Sequence, residues 1–229
     1  MTVRLIFPLL LGLIGAAILI GLGTWQMQRL AWKQDILQQI ERRITADPVA
    51  LPANPDQSRD QYLPVTVQGR YTGEGLDVLA SRKQQGAGFR VIAVLETDGR
   101  RVLVDRGFLP EPLRATPRPT GLVAIRGNLH WPQEVDGFTP PPDTNRGIWF
   151  ARDLPAMAAA LNTEPVLVVV WGDDPTDPAV QAMPVDTTHI PNDHLQYAIT
   201  WFLLAVVWLG MTALLVWRVW RPIKPQGEA

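Results

Sequence analysis

The sequence contains no cysteine, few charged residues and only three histidines. The absence of cysteine excludes disulfide bonds, zinc ribbons, cysteine-ligated iron–sulfur clusters and thiol catalysis. Charged residues make up 19% of the 229 residues, which is below the roughly 25% of an average soluble domain. The formal net charge is −1, the isoelectric point is about 6.3, and no basic stripe is present. We therefore expect no nucleic-acid partner.

The chain also lacks the short motifs that mark common classes of enzyme. It contains no G-x-S-x-G nucleophile elbow and no H-E-x-x-H zinc motif. The glycine-rich stretch at residues 85–89 has neither the spacing nor the lysine of a phosphate-binding loop. Because no nucleophile–base pair is visible, we expect a protein that is not an enzyme. A membrane-anchored enzyme is the least favoured class.

The low charge content is due mainly to two uncharged runs near the ends of the chain. Leu5–Leu22 is an uncharged run of 18 residues, and Leu195–Trp217 is an uncharged run of 23 residues. As helices they would be about 27 and 34 Å long, enough to cross a hydrocarbon core of about 30 Å. We predict transmembrane helices over 5–22 and 195–217. The alternatives are a cleaved signal peptide for the first run and a buried core helix for the second.

Basic residues beside the two runs predict how the chain is oriented. Arg4 precedes the first run, and Arg218, Arg221 and Lys224 follow the second. By the positive-inside rule, both termini should lie in the cytoplasm and the central region on the other side of the membrane. The chain begins without an Arg- and Ser-rich presequence. We therefore expect a multi-pass protein of the bacterial inner membrane, in contact with lipid, whose central domain is periplasmic.

The region between the runs is predicted to be rich in β-strands. Apolar residues at spacings of three and four extend the first helix to about residue 44, and Asp47-Pro48 should end it. Residues 45–190 then form the exported domain. Alternation of apolar residues predicts strands over Leu63–Tyr71, Leu76–Ser81 after a Gly73-Glu74-Gly75 turn, Phe89–Leu95, Val102–Phe108, Leu122–Leu129 and Val166–Trp171.

Local signals add a hairpin and one helix to these strands. Asp98-Gly99 is typical of a tight hairpin turn. Asp153 is a suitable N-cap for a helix over Leu154–Leu161. We expect an antiparallel β-rich barrel or sandwich with one short helix, so that the whole chain is a membrane protein of the α+β class.

His194 is the residue that most strongly suggests a cofactor. It directly precedes the second apolar run. An imidazole above an aromatic face with small residues suits an apolar planar metallocofactor such as haem, because imidazole is a standard iron ligand. The alternative is a histidine that caps the helix or contacts lipid headgroups. On a helix, His194 shares one face with Tyr197, Ala198, Trp201, Ala205 and Trp208.

Other polar residues near this point have two interpretations each. Arg29 and Lys33 lie just outside the first run, at about the height of His194. They would pair either with acidic groups of a ligand or with phospholipid phosphates. His189, Asp193 and His194 are residue types that bind metal ions, but their spacing matches no strong motif. A solvated helix start is the favoured interpretation of that group.

Small residues in both apolar runs predict that the two helices pack closely. Where side chains are small, helix backbones approach each other and gain van der Waals contact. The residues expected at this contact are Gly12, Gly15, Ala16, Gly21 and Gly23 on the first helix and Ala198, Ala205 and Gly210 on the second.

Five blocks of sequence, taken in order, resemble the Surfeit locus protein 1 family, whose yeast relative is called Shy. They are GTWQxxRLxWK (residues 23–33), GRY (69–71), VLVDRGF (102–108), WFARD (149–153) and NDHLQYAITWF (192–202). The last block is the most specific, and the resemblance covers nearly the whole chain. Two positions depart from the family pattern: Asp193 stands where a second Asn is expected, and Asp105 stands where Asn is common.

The resemblance implies an assembly factor for cytochrome c oxidase that binds haem a and assists its insertion into the largest oxidase subunit. It also implies that His194 ligates the haem iron, with Tyr197, Thr200 and Trp201 matched around it. We expect Tyr197 and Trp201 to pack against the macrocycle, and Arg29 or Lys33 to meet a propionate. Trp25 completes the expected haem site.

The expected partners are the largest oxidase subunit, membrane lipid and haem a synthase. The alternative function is a structural scaffold that holds oxidase subunits during assembly without binding haem. In that case the residues that pack helix against helix would include Trp25, Trp32, Trp201 and Trp208.

Overall fold

The computed structural model describes residues 3–174, 177–188 and 190–220. These residues form two compact units. The first combines the described residues up to Gln38 with those from Thr188 onward, and the second is Gln39–Thr187. His189, Arg221 and Lys224, which entered the metal-site and orientation hypotheses, lie outside the described residues.

The first unit is built from two long apolar helices. α1 is Val3–Ile44 and contains Pro8, and α4 is His194–Trp220. Both are long and apolar enough to cross a membrane. Each helix continues beyond its uncharged run, so the helix ends do not mark membrane boundaries. The predicted limits of the two membrane spans, 5–22 and 195–217, and of the exported domain, 45–190, therefore stay predictions.

Small residues bring α1 and α4 together within this unit. Ala198 and Ala205 are buried, and a Cβ atom placed on Gly12 or Gly15 would collide with the side chain of Thr212 or Trp208. A Cβ atom on Gly23 would lie 2.6 Å from Cε1 of Phe202. The predicted close contact is therefore confirmed for these positions, and Ala16 is buried as well.

The packing prediction was wrong for two glycines. No described atom lies within 4 Å of a Cβ atom built on Gly21 or on Gly210. The reason is rotational position: the contact face of α1 includes Gly12, Ala16 and Gly23, at spacings near 3.5 residues, and Gly21 lies off that face. The sequence identifies the small residues. Which of them contact the other helix depends on their positions around the helix axis.

The second unit is a closed sheet with additional short strands. Its strands are β1 Val49–Ala50, β2 Pro64–Arg82, β3 Gly86–Thr97, β4 Arg100–Pro110, β5 Gly121–Leu129, β6 Ile148–Trp149 and β7 Leu167–Val170. Hydrogen bonding follows the order β2-β3-β4-β7-β5 and returns from β5 to β2. The path closes, so the predicted β-rich domain is a barrel, with β1 and β6 also paired to β2.

The sheet is mixed rather than purely antiparallel. β1 and β6 pair with β2 in parallel, and β7 pairs with β4 in parallel. Parallel neighbours need a crossover connection, and the helix α3 (Leu154–Leu161) lies between β4 and β7 in the chain. The sequence located the longer strands and β7 but not the short strands β1 and β6. The direction of each pairing depends on how the long connections return.

Two local predictions are confirmed in detail. Asp98 and Gly99 have φ angles of 48° and 74°, and they join β3 to β4 as the tight hairpin that their sequence indicates. α3 begins after Asp153, whose side chain accepts a hydrogen bond from the backbone N–H of Ala156.

Two shorter helical turns were not predicted: α2, Gln57–Asp60, and a 3-10 turn, Glu111–Leu113.

Two β-bulges interrupt the barrel wall. The sequence predicts a turn at residues 73–75 between two strands, but β2 is continuous and only its register with β3 shifts between Tyr71 and Gly75. A second shift occurs on β4, where Val91 pairs with Gly107 and Ile92 pairs with Asp105. Arg106 is therefore an extra residue in β4. A bulge bends its strand and redirects side chains.

The core of the barrel unit has two main clusters of buried apolar residues. One fills the barrel and includes Val65, Leu95, Val104 and Val168. The other lies where α3 packs against the sheet, with Met157 and Leu154 buried against Leu103. Both clusters draw on alternating positions of β-strands, as the sequence pattern indicated.

Candidate functional site

His194 is the first residue of α4, and its ring is held by a residue of α1. Its Nδ1 atom lies 2.8 Å from Oε1 of Gln26. An amide oxygen only accepts hydrogen bonds, so Nδ1 carries the hydrogen and donates it. In the neutral form of the ring, the free electron pair is then on Nε2. That is the arrangement in which a histidine is prepared to bind a metal, because its other nitrogen donates to a fixed acceptor.

The predicted face of α4 divides into a packed part and an exposed part. Ala198 and Ala205 are buried, Trp201 is half-buried, and Tyr197 is 55% exposed. Trp208 donates its indole N–H to the carbonyl oxygen of Gly12 at 2.9 Å. Trp208 is therefore a helix-packing residue, as the scaffold alternative expected of it, whereas Tyr197 is available to another molecule.

The polar and aromatic residues of α1 lie mostly on its exposed surface. The Arg29 guanidinium carbon lies 3.9 Å from the centre of the Trp32 ring, which is a cation–π contact. Trp25 is 54% exposed, and Lys33 is half-buried. Trp25 and Trp32 are thus not buried between helices, contrary to the packing role that the scaffold alternative gave them.

The donor set at His194 fits a haem group. Haem needs an axial nitrogen with a free electron pair, apolar or aromatic surface for the ring, and cations for its propionates. His194 offers Nε2, Tyr197 and Trp25 offer exposed aromatic surface, and Arg29 is charged. Each requirement is met by a residue of the first unit.

Gln26 is the residue of this site that the sequence did not single out. It belongs to the GTWQ block, but glutamine is a common residue of solvated helix surfaces and no rule marks it as functional. The sequence spacing could have indicated it, because Gly23, Gln26 and Leu30 follow each other at intervals of three and four and so share one face of the helix. In the structure, Gly23 and Leu30 are buried. Gln26 therefore lies on the contact face of α1.

His130, in the second unit, has the opposite arrangement of hydrogen bonds. The side-chain oxygen of Gln61 accepts the backbone N–H of Trp131 at 2.9 Å. Its amide nitrogen, 3.1 Å from Nδ1 of His130, must then donate, so Nδ1 accepts and the ring hydrogen is on Nε2. Burial, with a contribution from the charge of Arg152, lowers the pKa of His130 to about 4. This neutral ring accepts a hydrogen bond at Nδ1, so its one free electron pair is not available to a metal.

A buried ionic network crosses the barrel unit near His130. Asp105 is fully buried and accepts hydrogen bonds from Arg90 at 2.7 Å and from Arg152 at 3.0 Å. Arg152 also pairs with Glu134. Burial opposes ionisation of Glu134, but the hydrogen bonds and charge of Arg152 hold its pKa below the usual value. Because all four charges have partners, the network orders the barrel wall.

Three acidic residues that follow β7 have partners within the barrel unit. Asp174 and Asp177 form ion pairs with Arg106, and Asp173 accepts the backbone N–H of Ala182. Among the described residues, no group of three or more histidine, aspartate or glutamate side chains is placed to hold a metal ion. The hypothesis that includes His189 falls outside the described residues.

Comparison with known proteins relates most of the chain to one family. A model of the SURF1 family matches residues 13–206. Surfeit locus protein 1 of Homo sapiens is 32% identical over 211 residues, which cover 80% of this chain and 68% of the human protein. The Rattus norvegicus protein of the same name is 29% identical over 205 residues, covering 80% and 67%. A SURF1-like protein of Monosiga brevicollis is 28% identical and covers 83% and 80%.

Proposed function

Because the chain belongs to the SURF1 family, we propose that it is an assembly factor for cytochrome c oxidase. It binds haem a at the membrane surface and assists its insertion into the largest oxidase subunit. The observation that carries the haem part of this proposal is the hydrogen bond between His194 Nδ1 and Gln26 Oε1. It leaves Nε2 as the free nitrogen at the start of α4.

In this proposal the chain lies in the bacterial inner membrane. α1 and α4 both cross the bilayer, the termini lie in the cytoplasm and the barrel lies in the periplasm. The outward surfaces of the helices support membrane contact, since Phe7 is 73% exposed and Val206 is 66% exposed. Apolar side chains this exposed along helices of this length are stable in lipid but not in water.

The site suits haem a because this cargo has two unlike ends. Its isoprenoid tail prefers lipid, whereas its ionised propionates prefer water. His194 would hold the iron, while Tyr197, Trp201 and Trp25 would pack against the ring. Arg29 or Lys33 would pair with a propionate. A site at the bilayer surface satisfies both ends of the cargo, and the chain needs no catalytic group to hold it.

Replacing His194 with alanine should abolish haem a binding, because His194 is the only histidine among the described residues of the first unit. The protein is expressed in a host that makes haem a, purified in detergent, and its pigment is extracted and quantified against protein. We expect pigment with the parent and almost none with His194→Ala.

His130→Ala is the matched control, since it removes a histidine whose free electron pair is already occupied. It should retain the pigment content of the parent. Equal pigment and equal visible spectra for the parent and His194→Ala would show that the iron assignment is wrong.

Replacing Gln26 should weaken haem binding by about 10–100-fold, the usual cost of losing the partner of a ligating histidine. Gln26→Leu removes the acceptor, so the ring rotates and the Nδ1 hydrogen loses its partner. Gln26→Glu keeps an acceptor and adds charge, so it should retain binding and lower the reduction potential of the bound haem. Haem titration and redox titration of the two variants measure these effects. Equal affinity in Gln26→Leu and the parent would contradict the role of Gln26.

The scaffold alternative, supported by the packing role of Trp208, is distinguished by its partners. We propose that the chain contacts the largest oxidase subunit and haem a synthase while it carries haem. A scaffold would bind oxidase subunits equally well in cells that make no haem. Co-purification of the largest subunit from haem-free cells would favour the scaffold, and loss of that subunit would favour haem delivery.

A further inference from the structure

The two β-bulges of the barrel unit converge on one cavity. Tyr71 lies at the start of the β2 bulge, and Arg106 is the extra residue of the β4 bulge. Both residues line a cavity of about 280 Å³. Bulges are frequent beside binding sites because they redirect a side chain out of the regular ladder. Neither bulge was expected from the sequence, and the haem site in the helical unit uses neither residue.

This cavity is lined by hydrogen-bond donors that lack partners. Tyr71 is 2% exposed and Arg106 is 3% exposed. The hydroxyl of Tyr71 and Nε of Arg106 are both buried without a hydrogen-bond partner among the described residues. A buried donor without a partner costs about 1–3 kcal/mol, so native proteins rarely retain one without a reason. Two such donors on one cavity wall are complementary to an acceptor.

Two further arginines on the cavity wall share a single carboxylate. Nε of Arg114 lies 2.8 Å from Asp77, and Nη2 of Arg118 lies 3.5 Å from the other oxygen of Asp77. The Arg114 and Arg118 guanidinium groups therefore share one anion, and both retain N–H donors that Asp77 does not occupy. Guanidinium groups bind oxyanions through paired N–H donors.

The other charges around the cavity are already paired. Glu74 also lines it, but this carboxylate pairs with Arg101 at 2.7 Å. Arg106 is held by Asp174 at 2.9 Å and Asp177 at 3.0 Å, through its terminal nitrogens. Its Nε atom remains the unused donor. The two aspartates therefore fix the Arg106 guanidinium in place and leave its Nε–H group available to a ligand.

We propose that this cavity is a binding site for a small oxyanion, a carboxylate or a phosphate, held by Tyr71, Arg106, Arg114 and Arg118. The site is separate from the haem site and does not depend on it. Burial raises the pKa of Tyr71 to about 12, so its hydroxyl stays protonated and donates at neutral pH. The cavity has the volume of about nine water molecules in the liquid, which limits the ligand to a small molecule.

The test is isothermal titration calorimetry of the full-length protein in detergent. Inorganic phosphate and succinate are titrated separately, with sodium chloride holding the ionic strength constant. We expect saturable binding of at least one, and the stronger binder identifies the class of oxyanion. The absence of saturable binding with both would overturn the proposal, and would leave the haem site unaffected.

Two variants assign the binding to this cavity. Tyr71→Phe removes only the hydroxyl, and Arg118→Gln removes a charge from a side chain that is partly exposed. Each should weaken binding by about tenfold or more, the effect of one charge-assisted hydrogen bond. Arg118→Gln tests the cavity independently of Tyr71. Tyr62→Phe and Arg59→Gln, which lie outside the cavity, are the controls and should bind as the parent does.

The melting temperature without ligand shows whether the Tyr71 hydroxyl already has a hydrogen-bond partner within the protein. If the Tyr71 hydroxyl awaits a ligand, Tyr71→Phe removes an unpartnered group and should keep or raise the melting temperature. A lower melting temperature, or unchanged affinity in both cavity variants, would show that the donors are satisfied within the protein and would overturn the proposal.

Discussion

Asp105→Ala should lower the free energy of unfolding of the barrel unit by about 3–5 kcal/mol, the cost of leaving buried charges without their partner. Asp105 is fully buried and contacts both Arg90 and Arg152. Its other oxygen accepts the backbone N–H of Gly107, so it also holds the β4 bulge. Alanine would leave the Arg90 guanidinium without its carboxylate partner, and Arg152 would keep only Glu134. Denaturant unfolding of the purified chain, followed by tryptophan fluorescence, measures the loss.

Two further variants separate charge from hydrogen bonding at this position. Asp105→Asn keeps an acceptor of the same shape but removes the charge, so its loss should be smaller than that of alanine. Glu96→Ala is the control: it breaks an exposed ion pair with Arg101 in the same sheet and should cost no more than about 1 kcal/mol. Equal losses in Asp105→Ala and Glu96→Ala would mean that the buried network does not stabilise the barrel.

The stability of the barrel unit should fall by up to about 3 kcal/mol between pH 6.5 and pH 4, because His130 cannot easily accept a proton in the folded state. Its pKa is lowered from 6.5 to about 4, mainly by burial. Below pH 6.5 the unfolded chain binds a proton that the folded chain does not, which favours unfolding. The effect is complete once the pH falls through the folded pKa, and each pKa unit corresponds to about 1.36 kcal/mol.

His130→Gln should flatten this part of the pH profile, because it removes the titrating ring and keeps a polar side chain beside Gln61. The lowered pKa values of Glu134 and Asp60 give a further loss at lower pH, below their unfolded values, and this loss should persist in the variant. Unfolding curves at a series of pH values test both parts. Parallel profiles for the parent and His130→Gln would contradict the assignment to His130.

The sequence predicted elements wherever a local pattern was sufficient. The apolar runs specify α1 and α4, because a helix that is apolar on every side is defined by composition alone. Asp153 and the Asp98-Gly99 pair specify a helix start and a hairpin, since each acts within a few residues. Alternation located the strands, but it read the β2 bulge as a turn because glycines indicate both.

The sequence by itself therefore determined two long apolar helices, a β-rich domain between them and His194 as the candidate ligand. Only the tertiary structure decided which nitrogen of that ring is free, because the deciding atom belongs to Gln26, 168 positions away. It alone also closed the strands into a barrel, joined Asp105 to Arg152 and brought Tyr71 and Arg106 to one cavity. Periodic patterns describe neighbours along the chain, whereas these contacts depend on how distant segments meet.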